Sequence, residues 1–192
     1  CRFGRTAPLM EETENWTDEE WQASDVYVRK MKISKDAKWA YIQVSQSQRK
    51  GYLHVVSLED PSAFTDIVLD STKELPIQPL YWDYDAIENK LYYLQITRDD
   101  SEAEDETSRI IYKADSDGKN PEIYKEECDF CSALFAVGKD TVLLNYGQTS
   151  TSGYHDEVYI DAKTGEEAAR IQLKDYMTSF ANYIMKDNAI YV

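Results

Sequence analysis

The chain has 192 residues, of which 36 are acidic and 21 basic, giving a formal charge of −15. That excess of carboxylates repels nucleic-acid phosphates and anionic lipid headgroups, so neither is expected as a partner. Hydrophobic residues make up 42%, and 15 tyrosines stand against 7 glycines and 5 prolines, which argues against a disordered chain; no apolar run reaches the roughly 20 residues of a membrane-crossing helix.

Residues Cys1 to Ser24 are acidic and show little periodicity, so they read as a leader or tether. Thr17 and Glu20 in "WTDEEW" could instead cap a short helix, and Asn15-Trp16-Thr17 is a glycosylation sequon that matters only in a eukaryotic secretory protein. There is no apolar h-region. A chain beginning at Cys1 suits either lipoprotein processing, with the lipid on that cysteine, or a simple boundary.

From Val26 onward the pattern becomes that of strands rich in β-branched and aromatic residues. Val26–Ser34, Trp39–Ser45, Gly51–Leu58 and Phe64–Leu69 form a first set, with turns at "QSQRKG" and "EDPSA". Leu80–Tyr84, Lys90–Thr97, Arg109–Ala114 and Glu122–Lys125 form a second. Ala133–Val137, Thr141–Tyr146, Glu157–Asp161 and Ala168–Leu173 form a third, and Phe180–Met185 with Ala189–Val192 begin a fourth. The polar stretch Gly147 to Gly153 reads as a long loop between strands.

The four sets are repeats. Tyr41, Tyr92, Leu143 and Tyr191 occupy corresponding second strands, at separations of 51 (92−41), 51 (143−92) and 48 (191−143). A polar pair precedes each strand: Lys35-Asp36, Glu88-Asn89, Lys139-Asp140 and Lys186-Asp187. Asp115 to Gly118 and Asp161 to Gly165 each place Asp first and Gly last in a tight hairpin. A period near 50 with four strands per repeat predicts an all-β chain of propeller blades, at about 26–71, 77–127, 131–176 and an incomplete 180–192, following a leader over 1–24. A β-sandwich or another array of stacked sheets is the competing fold.

Tyr92-Tyr93 and the run Arg109 to Gly118 ("RIIYKADSDG") resemble the second strand, third strand and closing turn of bacterial β-propellers of the YWTD/TolB type. The resemblance rests on pattern over about 160 residues and implies a fold more than a function. Because rings of this kind have about 4 to 8 blades, the remaining blades are expected from the rest of a longer chain or from another chain.

Candidate chemistry is sparse. Cys128 and Cys131 have C-x-x-C spacing, which suits a local disulfide, a pair of buried thiols, or half of a redox or zinc site. Asp99 to Glu106 gathers six carboxylates and reads as a solvated loop before a cation site; Asp115-Ser116-Asp117-Gly118 matches an EF-hand loop only in part and reads as a turn. Trp82, Asp83, Tyr84 and Asp85 combine aromatic and acidic groups suited to a sugar or a cationic peptide, against the plainer expectation that Trp82 and Tyr84 pack in the core. No catalytic constellation, metal site or cofactor is expected. The leading function is an extracytoplasmic binding module, lipid-anchored at a bacterial surface if Cys1 is processed, recognising a protein, peptide or glycan; the alternative is a glycan-acting hydrolase or lyase with its site at the channel mouth.

Overall fold

A computed structural model describes residues 26–46, 51–70, 81–98, 107–129, 131–149, 154–174, 184–186 and 189–191. The leader with Cys1, the Thr17 cap and the acid-rich loop from Asp99 to Glu106 lie outside the described residues. Every regular element among the described residues is a strand. None of them is a helix long and apolar enough to cross a membrane.

The first sheet contains β1 (Val26–Ile33), β2 (Trp39–Gln46), β3 (Gly51–Ser57) and β4 (Phe64–Asp70), each antiparallel to the next. The second contains β5 (Trp82–Asp85), β6 (Lys90–Arg98), β7 (Thr107–Asp115) and β8 (Glu122–Lys125). The third contains β9 (Ala133–Gly138), β10 (Thr141–Thr149), β11 (Tyr154–Asp161) and β12 (Glu167–Lys174), and β13 (Ile184–Lys186) pairs with β14 (Ala189–Tyr191) as a separate hairpin. Among the described residues, a single parallel bridge, Asp70 to Ile96, links the first two sheets.

The three groups of four expected from the repeat are therefore present as three four-stranded antiparallel sheets. One loop was misplaced: Gly147 to Thr149 continue β10 and pair with Glu157 to His155, because polar residues tolerate a strand whose ladder satisfies their backbone. Polar composition alone does not mark a loop.

Among the described residues, the polar pairs Lys35-Asp36, Glu88-Asn89 and Lys139-Asp140 lie in the hairpin turns before the second strands. Positive φ occurs at Ala37, Asn89, Lys139 and Asp140, and the consecutive positive values at Lys139 and Asp140 suit the tight turns that match strand twist. Gly118, at φ 77°, ends the β7–β8 turn; a Cβ there would lie 3.1 Å from Val55 Cγ2, so the missing side chain lets this turn press against the first sheet.

Strand alternation sends alternate side chains to opposite faces, and both faces of the second sheet are apolar. Toward the first sheet it places Trp82, Tyr84, Leu91 and Tyr93 against Tyr41, Leu53 and Leu69. Toward the third it places Tyr92, Leu94, Ile96 and Ile111 against Leu134 and Val142. Tyr41 belongs to the first of these cores, Tyr92 to the second, and Leu143 to a third cluster with Phe135 and Tyr159.

Candidate functional site

Trp82, Asp83, Tyr84 and Asp85 occupy the whole of β5, and all four are buried. Trp82 donates its indole N–H to Gln43 at 3.0 Å and lies 5.8 Å from the Tyr41 ring, which also stacks on Tyr84 at 5.0 Å. The Tyr84 hydroxyl donates to Asn89 at 2.8 Å and accepts from the Lys35 amide at 3.1 Å. Asp85 accepts the amides of Ile87 and Glu88, a local arrangement that shapes the β5–β6 turn.

Asp83 joins all three sheets. Its Oδ1 pairs with Lys32 and with Lys30 at 3.3 Å, both on β1, while Oδ2 accepts the Ala136 amide of β9 at 3.1 Å. Lys30 also donates to the Trp82 carbonyl at 2.7 Å and sits 4.7 Å from the Trp82 ring centroid. Burial lowers the Lys30 pKa, and the Asp83 carboxylate partly opposes that shift. Trp82, Asp83 and Tyr84 thus make contacts between sheets, while Asp85 shapes its own turn. None of them lines the cavity described next.

That cavity, of about 450 Å3, opens between the second and third sheets. Its floor is Leu144, Tyr146, Val158 and Ile160 of β10 and β11, and its rim carries Lys125, Glu127, Asp129, Asp161 and Lys163. On the second-sheet side it is bordered by Lys125, the last residue of the four-residue β8, and by Glu127 to Asp129 just after it. Sequence reading found the short β8 run and the Asp161–Gly165 turn but could not place them across from each other, since they belong to different repeats.

Beside the groove lies a network contributed by three hairpins and three strands, β6, β7 and β8. Lys113 bonds Asp140 Oδ1 at 2.7 Å, Lys163 bonds Asp140 Oδ2, and the Asp140 amide donates to Glu88 Oε1 at 2.6 Å. The Tyr124 hydroxyl donates to the Asp140 carbonyl at 2.7 Å, the Tyr92 and Tyr124 rings meet edge to face at 5.3 Å, and Lys163 lies 4.6 Å from the Tyr124 ring centroid. Burial, with the nearby carboxylates, raises the pKa of Tyr92 and Tyr124, which therefore stay protonated as donors.

Hydrogen bonding to Lys113, then to Lys163, lowers the Asp140 carboxyl to about 2. Its folded-state pKa lies below the ordinary value near 4, so this pairing stabilises the fold above about pH 4 and is lost as the pH falls toward 2. The side chain is 40% exposed, and solvent screening keeps the contribution below about 1 kcal/mol. Asp140→Asn is expected to flatten the pH dependence of the urea midpoint between about pH 4 and pH 2; an unchanged slope would remove Asp140 from the acid response.

Cys128 and Cys131 are both buried free thiols, so the disulfide allowed by their spacing is not formed in the structure. They pack in the core between the second and third sheets, and Cys128 also lines the groove. Burial raises both pKa values, that of Cys131 to about 12. His54 sits on the first sheet with Nδ1 2.5 Å from Asp66, and the described residues contain no group of three or more His, Cys, Asp or Glu able to hold a metal. In the turn that partly matched an EF-hand, Asp115 takes Lys90 and Asn120 and Asp117 takes the Lys119 amide, so these carboxylates serve the hairpin.

The described carboxylates with resolved pKa shifts, Asp36, Asp60, Asp115, Asp140 and Glu167, all lie below their ordinary values. A general acid needs the opposite shift. No protein-family model matches the chain, and no curated protein matches it.

Proposed function

We propose that the chain is part of an extracytoplasmic β-propeller module that binds a peptide segment of a protein partner in the groove between its second and third sheets. The groove carries this reading. Its aliphatic floor with one tyrosine can take apolar side chains, while Lys125 and Lys163 alternate with Glu127, Asp129 and Asp161 around it, a pattern suited to a peptide bearing charges of both signs. A glycan would ask for flat, exposed aromatic rings in place of the aliphatic floor.

The ring is supported by the repeated stacking and by the far side of the first sheet. Val28 is 64% exposed, Met31 52% and Ile33 54% along β1. In the second and third sheets the corresponding face is covered by the preceding sheet. A further four-stranded sheet of the same kind, from a longer chain or another chain, would cover these residues and remove the apolar exposure that an unpartnered sheet face carries.

Panning a peptide library against the protein tests the function. Peptides selected by the wild type should bind Tyr146→Ala and Lys163→Glu at least about tenfold more weakly, and bind Lys119→Glu, outside the groove, unchanged. Equal binding by all of them would refute the site. Glycan hydrolysis abolished by substituting a groove carboxylate would replace the binding reading with an enzymatic one.

A further inference from the structure

Cys128 and Ser132 are held by the second and the third sheet respectively. The Cys128 amide donates to the Arg109 carbonyl of β7 at 3.0 Å, fixing it to the second sheet. The Ser132 amide donates to the Asn145 carbonyl of β10 at 2.9 Å, and its hydroxyl reaches the same carbonyl at 3.1 Å. One thiol therefore stands where the chain leaves the second sheet, and the other stands next to the residue that anchors it to the third. Both belong to one apolar cluster, and they differ in access. Cys128 lines the groove and a smaller cavity of about 250 Å3 beside Arg109, whereas Cys131 lies behind it at 1% exposure.

We propose that Cys128 and Cys131 form a dithiol that low-molecular-weight disulfides oxidise through the groove, closing a bond across the junction of the second and third sheets. The order follows from access. The Cys128 thiolate attacks one sulfur of the small disulfide, the reagent's S–S bond breaks, and one small thiolate leaves with the electron pair. The Cys131 thiolate then attacks Cys128 Sγ, the mixed disulfide breaks, and the second small thiolate leaves. The two protein thiols lose two protons and two electrons, and the small disulfide becomes two thiols. Lys125 faces Cys128 as a favourable charge and Asp129 as an unfavourable one, while Arg109 favours the Cys131 thiolate; the apolar surroundings outweigh both cations, so attack is slow at neutral pH.

This site is independent of what the groove binds. The test uses the full chain carrying Cys1→Ser, so that the thiol pair reacts alone, with glutathione disulfide as the oxidant. Intact mass should fall by that of two hydrogen atoms under native conditions, with the new bond mapped to Cys128 and Cys131. With Cys131→Ser added, the reaction should stop at a glutathione adduct on Cys128, and with Cys128→Ser the adduct on Cys131 should form at least about tenfold more slowly. A native chain that stays reduced while the same chain oxidises in urea would overturn the proposal, as would a native wild-type pair that halts at the glutathione adduct.

Discussion

Replacing Asp83 with Ala should lower the unfolding free energy by about 3 to 5 kcal/mol, the usual result of removing one member of a buried ion pair. Asp83 is 1% exposed, and its loss leaves the Lys30 ammonium in an apolar setting while the Ala136 amide loses its acceptor. The Coulomb gain of the pair is not the main quantity. What costs most is a charge that has been taken out of water and then deprived of its partner. For a chain of this size the melting temperature should drop by roughly 6 to 20 °C, read by circular dichroism and urea titration. Asp83→Asn, which keeps an acceptor for Ala136, should fall between the two. Pairing Asp83→Leu with Lys30→Met should restore much of the loss; a double variant as unstable as Asp83→Ala would show that the charges themselves were not the cause.

Trp82→Ala should cost a similar amount, about 3 to 5 kcal/mol, by a different route. Trp82 is fully buried between the first two sheets, and truncation leaves a cavity bounded by Tyr41, which rigid strands on both sides cannot collapse. It also removes the hydrogen bond to Gln43 and the ring beneath Lys30. Trp82→Phe keeps most of the apolar volume, so its smaller loss, about 1 to 2 kcal/mol, measures those polar contacts. A loss below about 1 kcal/mol for Trp82→Ala in urea titration would mean that the first two sheets do not depend on this residue. Together the two substitutions separate electrostatic from packing contributions at adjacent positions of one strand.

Both residues were singled out in the sequence as possible ligand contacts, and the structure gives each a set of intramolecular partners. The acidic and aromatic character of β5 was readable; its neighbours were not. Lys30 and Lys32 lie some fifty residues earlier, and Ala136 some fifty later, so nothing local in the sequence showed that three sheets meet at Asp83. The same holds for the groove. Lys125 closes the second repeat, and Tyr146, Val158 and Lys163 belong to the third, each unremarkable within its own strand or turn.

Secondary structure came out more fully. Strand positions were legible because alternation, β-branched and aromatic residues and turn chemistry all act over a few residues. Tyr41 and Tyr92 were legible only as second-strand residues 51 apart; that they pack in different cores is seen in the structure. The exception at Gly147 to Thr149 shows the limit: a polar, glycine-bearing run became strand because partners in β11 satisfied its backbone.

By itself, then, the order of residues determined that this protein would form antiparallel strands in groups of four and where the hairpins would turn, for these depend on interactions between near neighbours. Tertiary structure alone decided that β5 would be buried on both sides, that a groove would open between the second and third sheets, and that two cysteines would straddle the passage between them. Those outcomes depend on the distance between repeats after packing, which is set by the summed fit of side chains from separate strands and has no signature in any single stretch of chain.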